Sequence, residues 1–241
     1  MNRLANRFRI AVLAFVFALP VMTTATAFAQ DLDAQAVLDN IQTTFEELED
    51  MTFLLTGAIV DPDGTEIVLE IEAAIIPGAR VASAYIIQPD ALADNIIVWN
   101  DQSVYNYIYL TNQVTVFDAD DPDALGGIFG EDVAENEGFE VTLDLGELFD
   151  GFEATIAGYV DTPAGPAYLM QFVNTDQDAE IATATAQILD GRWVPYTVSL
   201  LDRSGARLAT LVFEDLETDV GLAPEAVTYI PEDAEVIDER E

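Results

Sequence analysis

Histidine and cysteine are both absent from the 241 residues, so any chemistry in this chain rests on carboxylates, hydroxyls and phenols. Their absence removes the commonest general base, the commonest metal ligand and the thiol nucleophile. Ser103, Ser199 and Ser204 lie in strand-like or turn-like text, without the G-x-S-x-G context of an exposed nucleophile. Two acidic groups, Asp61/Asp63/Glu66 and Asp118/Asp120/Asp121/Asp123, offer the oxygens that calcium prefers, but neither has the spacing of a calcium loop. Carboxylate pairs suited to glycoside hydrolysis can be chosen almost anywhere among 45 acids, so their presence carries no information. The expectation is a binding protein with no metal and no cofactor, and not an enzyme.

Tyr105, Tyr107 and Tyr109 stand at alternate positions, which places them on one face of a strand with Val104, Asn106 and Ile108 on the other. Such a ladder serves either as ordinary core between strands or as the wall of an apolar site. The elements that must position it are mostly strands. A helix is predicted from a cap at Asp33 through Asp50, with Leu38, Ile41, Phe45 and Leu48 on one stripe. Period-two text then begins at Thr52–Val60 and, after the Asp61-Pro62-Asp63-Gly64 turn, continues at Glu66–Ile75. Further strands are expected at 81–88, 96–99, 103–110, 114–117, 152–160, 167–173, 181–189, 194–201, 206–213 and near 234–237. A short helix is expected at Pro122–Phe129. This is a mainly β chain with helices: an open, unclosed antiparallel β-barrel of about eleven strands.

Arg3, Arg7 and Arg9 precede an apolar run from Ile10 to Met22, and Ala27-Phe28-Ala29 follows. That arrangement reads as a signal peptide over residues 1–29, cleaved after Ala29 and leaving one domain at 30–241. No later segment approaches the roughly 18 apolar residues of a membrane span, so a soluble exported protein is expected. The net charge is −37, with 45 acids against 8 arginines and no lysine, and removal of the three leader arginines makes it more negative still. A surface of that sign disfavours nucleic acid and anionic headgroups. Its 51% hydrophobic content argues for a packed core despite the charge.

The order of elements carries a resemblance. Arg80-x4-Tyr85-x3-Pro89, Ile97-Val98 before a polar turn, Val104-Tyr105-Asn106-Tyr107 and Asn112-Gln113-Val114 follow one another in the first half. Tyr168-Leu169-x-Gln171-Phe172, Trp193-x-Pro195, Leu201-Asp202-x-x-Gly205, Val212-Phe213-Glu214-Asp215 and Pro231-x-x-Ala234-x-Val236-Ile237 follow in the second. This succession, from about Ala34 to Ile237, resembles LolA, the periplasmic carrier of outer-membrane lipoproteins. The resemblance implies an unclosed barrel with helical lids over a concave apolar face. It implies periplasmic localisation, acyl chains of lipids or lipoproteins as ligands, and an inner-membrane transporter and outer-membrane receptor as partners of a monomer. The chain departs from the pattern in having no arginine or lysine between the leader and Arg80, where such carriers latch the lid.

Strand parity and the helix stripe together nominate the lining of that site: Leu38, Ile41, Phe45, Phe53, Leu55, Ile67, Leu69, Ile71, Tyr85, Ile87, Tyr105 and Tyr107. Two other readings stand beside the carrier. One is an envelope sensor of the RseB type, which shares the fold but carries a further C-terminal domain. The other is a structural envelope β-protein whose core is filled by its own side chains. A LolB-type receptor would need an acylated cysteine, which is absent.

Overall fold

The computed structural model describes residues 32–61, 63–119, 121, 124, 151–177 and 179–240. The predicted leader and most of the predicted Pro122–Phe129 helix lie outside the described residues.

Helix α1 spans Ala34–Glu47, started by Asp33, whose carboxylate accepts the Ala36 N–H at 2.8 Å. Twelve strands follow: β1 Met51–Val60, β2 Glu66–Ile76, β3 Val81–Gln88, β4 Ile96–Trp99, β5 Ser103–Ile108 and β6 Gln113–Asp118, then β7 Phe152–Thr162, β8 Gly165–Asn174, β9 Thr183–Leu189, β10 Pro195–Leu201, β11 Arg207–Thr218 and β12 Glu235–Asp238. Helix α2, Pro224–Val227, lies between the last two. All twelve strands belong to one sheet, in the order β12-β6-β5-β4-β3-β2-β1-β11-β10-β9-β8-β7. β12 and β7 are the two ends and do not pair with each other, so the sheet is unclosed, as expected from the period-two text. The pairings are antiparallel except that β12 runs parallel to β6.

Turn chemistry explains the tight hairpins. Asp61 takes the Thr65 N–H on its carboxylate at 2.7 Å, and Gly64 supplies the left-handed backbone between β1 and β2. Asp202 does the same for the Ala206 N–H at 2.8 Å between β10 and β11. Burial works against the Asp202 carboxylate, but the Ser204 hydroxyl and three backbone N–H groups outweigh it and hold its pKa below the usual value.

Two local meanders, β1–β6 and β7–β11, are joined along the β1–β11 seam. Gly57 sits in that seam at φ 146°, and a Cβ there would lie 2.0 Å from the Thr210 carbonyl oxygen. The seam therefore requires glycine. The main core lies where α1 packs on the second meander, with Val37 and Ile41 against Met170 (0% exposed), Phe172 (1%), Ala184 and Ala186.

After β11 the chain crosses the opposite face of the first meander as a strap. Asp50, 3% exposed, accepts the N–H groups of Val220, Gly221 and Leu222, each at 2.8 Å. α2 then lies on β2 and β3 with Val227 buried, and Asn112 donates to the Asp233 carbonyl at 3.1 Å. Arg240 donates to Ser103 Oγ at 3.1 Å and pairs with Asp238 at 2.7 Å. That pair holds the Asp238 carboxyl down at about 2. Among the described residues no helix is long and apolar enough to cross a membrane.

Candidate functional site

The strand registers set three rows of side chains on one face of the first meander. The first is Met51, Ile75, Ala82, Trp99, Val104 and Phe117. The second is Phe53, Ala73, Ala84, Ile97, Asn106 and Thr115, and the third begins Leu55, Ile71, Ile86. Across the seam Leu55 faces Phe213, and Gly57 and Ile59 face Leu211 and Ala209. The Phe53 and Phe213 rings meet at 5.3 Å. The same face thus continues over β2, β1 and β11 as an uninterrupted apolar surface.

Coverage of this face is uneven. On the second meander α1 buries Met170, Phe172, Ala184 and Ala186, with Val198 and Leu200 part-exposed beside them, and at the other end Ile86, Ile97, Val104 and Ala124 form a buried cluster. The C-terminal end of α1 closes the first row, where Leu48 and Phe45 pack on Met51, Ile75 and Ala82. Between these zones Phe53, Leu55, Ile59, Ile67, Ile71, Leu211 and Phe213 are only half-buried. An apolar surface of this extent left half-covered in the middle of a sheet is suited to receiving an apolar ligand.

Eight of the twelve predicted site residues lie on this side of the molecule. Ile41 is buried beneath α1, with Leu38 and Phe45 half-buried around it. Phe53, Leu55, Ile67, Leu69 and Ile71 share the apolar face, Leu69 being the most buried of the five at 7% exposed. The expected inward placement of the tyrosines is corrected. Tyr85 pairs with Glu72 and Ile96, Tyr105 with Val98 and Val116, and Tyr107 with Ile96 and Val114, so all three belong to the opposite, strap-covered face. Ile87 falls at the irregularity between Ile86 and Gln88, where the β2–β3 register shifts by one residue.

On that opposite face Tyr107 is 5% exposed, and its hydroxyl donates to Asn112 at 3.0 Å. Burial pushes its phenol pKa up. Tyr85 donates to the Asp94 carboxylate, and that hydrogen bond raises its pKa. A hollow of 720 Å³ lies on this side, bordered by Thr52, Leu54, Glu72, Ser83, Tyr85 and Glu217. Phe53, Ala73 and Leu216 also reach this hollow, but with three carboxylates on its rim, Glu72, Asp215 and Glu217, it suits an acyl chain poorly, so the candidate site is the apolar face.

Sequence parity missed Ile86, Ile97 and Asn106, which occupy the positions assigned to tyrosines. The alternation of Ala82 and Ala84 in β3, with Ala73 opposite Ala84 in β2, was the available signal, since these alanines share the inward parity. Among the described residues no group of three or more acids is placed to hold a metal ion.

No family model matches the chain, and no curated protein matches it either. Solved structures do. An uncharacterized conserved protein from Thermus thermophilus aligns over 85% of this chain and 98% of its own, at 20% identity and a TM-score of 0.59. MucB of Pseudomonas aeruginosa, solved in complex with MucA, aligns over 82% of this chain at 16% identity and a TM-score of 0.51. The match spans 61% of the MucB chain. The Mycobacterium tuberculosis lipoprotein LppX aligns over 78% of this chain and 98% of its own, at 10% identity and a TM-score of 0.50. These likenesses show the fold alone: the unclosed sheet implied by the order of sequence elements is shared with MucB and LppX.

Proposed function

We propose that this chain is an exported, periplasmic carrier that binds acyl chains of a lipid or lipoprotein on the apolar face of its open sheet, and that it is not an enzyme. The observation that carries the reading is the row of half-buried apolar side chains at the centre of that face, Phe53, Leu55, Ile67, Ile71 and Phe213, between the buried clusters at its two ends. A filled structural core would bury its central side chains, and here, Leu69 and Ala209 apart, they stay part-exposed. Acyl burial contributes roughly 0.8 kcal/mol per methylene, so a single chain of ordinary length gives useful affinity without polar recognition.

Native mass spectrometry of protein purified from its own envelope tests the proposal directly, through retained lipid. Leu55→Glu adds a mechanistic arm. Leu55 is half-buried at the middle of the face, so a carboxylate there stays hydrated in an open site and repels an acyl chain. Binding of a fluorescent acyl probe is expected to weaken by at least about tenfold, with melting lowered only a few degrees. Absence of both retained lipid and saturable probe binding in the wild type refutes the carrier.

The MucB likeness favours a second reading, an envelope regulatory protein that binds a protein segment, because MucB is solved bound to MucA(peri). Co-purification of a peptide in place of lipid in the same mass spectrum distinguishes it.

A further inference from the structure

Asn106 is the polar residue in the middle of the second row, at the centre of β5 between Ile97 and Thr115. It is 4% exposed, and its Oδ1 has no hydrogen-bond partner among the described residues. Its surroundings are the cluster of Ile86, Ile97 and Val104. The other buried asparagine on this half of the sheet, Asn95, shows what a structural role looks like: its Oδ1 accepts the Tyr109 N–H at 3.0 Å. Asn106 has no such duty. An asparagine at the centre of a strand is disfavoured by strand geometry, and a buried amide oxygen without a donor is costly.

The row that leads to it is low. From Phe53, two alanines, Ala73 and Ala84, precede Ile97 and then Asn106. Ala84 (9% exposed) and Ile97 (2%) are themselves covered, so a chain that follows this row from Phe53 must part the packing of that flank to bring its polar end to the amide. Building on the carrier reading above, we propose that Asn106 is the specificity-determining contact of the apolar site, accepting a hydrogen bond from a neutral donor borne by the acyl ligand. The chemistry of the pocket selects the donor. A carboxylate or phosphate oxygen brings no donor, and an ammonium would lie unpaired against isoleucine and valine. What remains is an uncharged O–H or N–H close to the chain, as in a hydroxyacyl group or an N-acyl amide, in preference to a plain ester.

The test is competition against a fluorescent acyl probe by three chains of equal length: myristic acid, 3-hydroxymyristic acid and N-myristoylglycine. Wild type is expected to favour one or both donor-bearing chains over myristic acid by roughly fivefold to tenfold, the worth of one neutral hydrogen bond. A preference for the hydroxy acid alone assigns the hydroxyl as donor, and one for the amide alone assigns the N–H. In Asn106→Leu, close in volume and without the acceptor, the preference is expected to vanish while myristic acid binds as before. A wild type that does not discriminate, or a variant that keeps the preference, overturns the assignment. If the variant does not fold, the Asn106 side-chain amide resonance in the wild type decides. It must shift with the donor-bearing chain more than with myristic acid, and equal shifts overturn the proposal. Failure of all three chains to compete in a protein that binds the probe overturns this inference alone. Failure to bind the probe at all overturns the carrier reading beneath it.

Discussion

Asp50→Ala is expected to release the C-terminal strap and to lower stability by about 3 kcal/mol. The carboxylate is 3% exposed and takes three backbone N–H groups, from Val220, Gly221 and Leu222, each at 2.8 Å. A hydrogen bond to a charged group contributes about 1.5–3 kcal/mol, so three independent bonds would exceed 4 kcal/mol in sum. They are not independent, because the donors are consecutive residues that leave together. Val220 and Gly221 are also exposed, so their freed N–H groups regain water. Those two considerations bring the figure down to about 3 kcal/mol, or a melting temperature lower by roughly 6–12 °C for a domain of this size. Asp50→Asn keeps one acceptor and is expected to lose less, about 2 kcal/mol. Denaturant unfolding gives the magnitude, and hydrogen exchange at residues 220–222 and at Tyr107 shows whether the strap lifts. A loss below about 1 kcal/mol with exchange unchanged would refute the idea that Asp50 fastens the strap.

Two other expectations follow from geometry. Gly57→Ala places a Cβ 2.0 Å from the Thr210 carbonyl oxygen, so the seam must part and stability should fall by more than about 3 kcal/mol in denaturant; a near-neutral result would show slack in the seam. Tyr159 donates to Asp190 at 2.5 Å, and that bond, reinforced by burial and the nearby carboxylate charge, raises its pKa to about 12. The folded pKa lies above the unfolded value near 10, so the contribution is complete below about pH 10 and is lost as pH rises through about 12. Tyr159 is part-exposed, which limits the effect to under about 1 kcal/mol. The tyrosinate absorbance difference between wild type and Tyr159→Phe should titrate near 12, and a midpoint near 10 would show the bond to be absent in solution.

The fold was legible wherever one strand face is wet and the other dry. Glu66, Glu70 and Glu72 alternate with Ile67, Leu69 and Ile71, and the register of β2 followed at once. The same reasoning failed on β3 and β5 because both faces there are covered, the inner within the Ile86, Ile97, Val104 and Ala124 cluster and the outer by the strap. Tyr105 and Tyr107 then compete with Val104 and Asn106 for the interior, and nothing in a two-sided apolar strand fixes the parity. The helix shows the same limit on a smaller scale. The stripe through Leu38, Ile41, Phe45 and Leu48 was read correctly as a packing face, but the most buried residue of the helix is Val37, one turn before Ile41 on the same face and left out of that stripe. The strap itself was invisible because Asp219–Leu222 has no periodicity and holds its place through bonds to residues about 170 positions away, the Asp50 carboxylate and carbonyl and the Glu49 N–H. Asn106 was on the page as a letter in Val104-Tyr105-Asn106-Tyr107, but its meaning depended on knowing that it has no partner.

The seam between β1 and β11 also bears on the order in which this chain can fold. Within each meander every strand pairs with its sequence neighbour, so those contacts close short loops and form early. The seam instead joins residues 51–59 to residues 209–218, closing a loop of roughly 150 residues. The length-dependent part of that closure entropy alone is about 4 kcal/mol. Two half-sheets therefore assemble first, each with an apolar face open to water, and the seam closes them last. Until it does, neither half possesses the continuous surface that runs from Phe213 through Phe53 to Ile97. A perturbation at Gly57 then belongs to the late step: it should accelerate unfolding far more than it slows folding. The ligand-sized surface of this protein is a product of its final folding event.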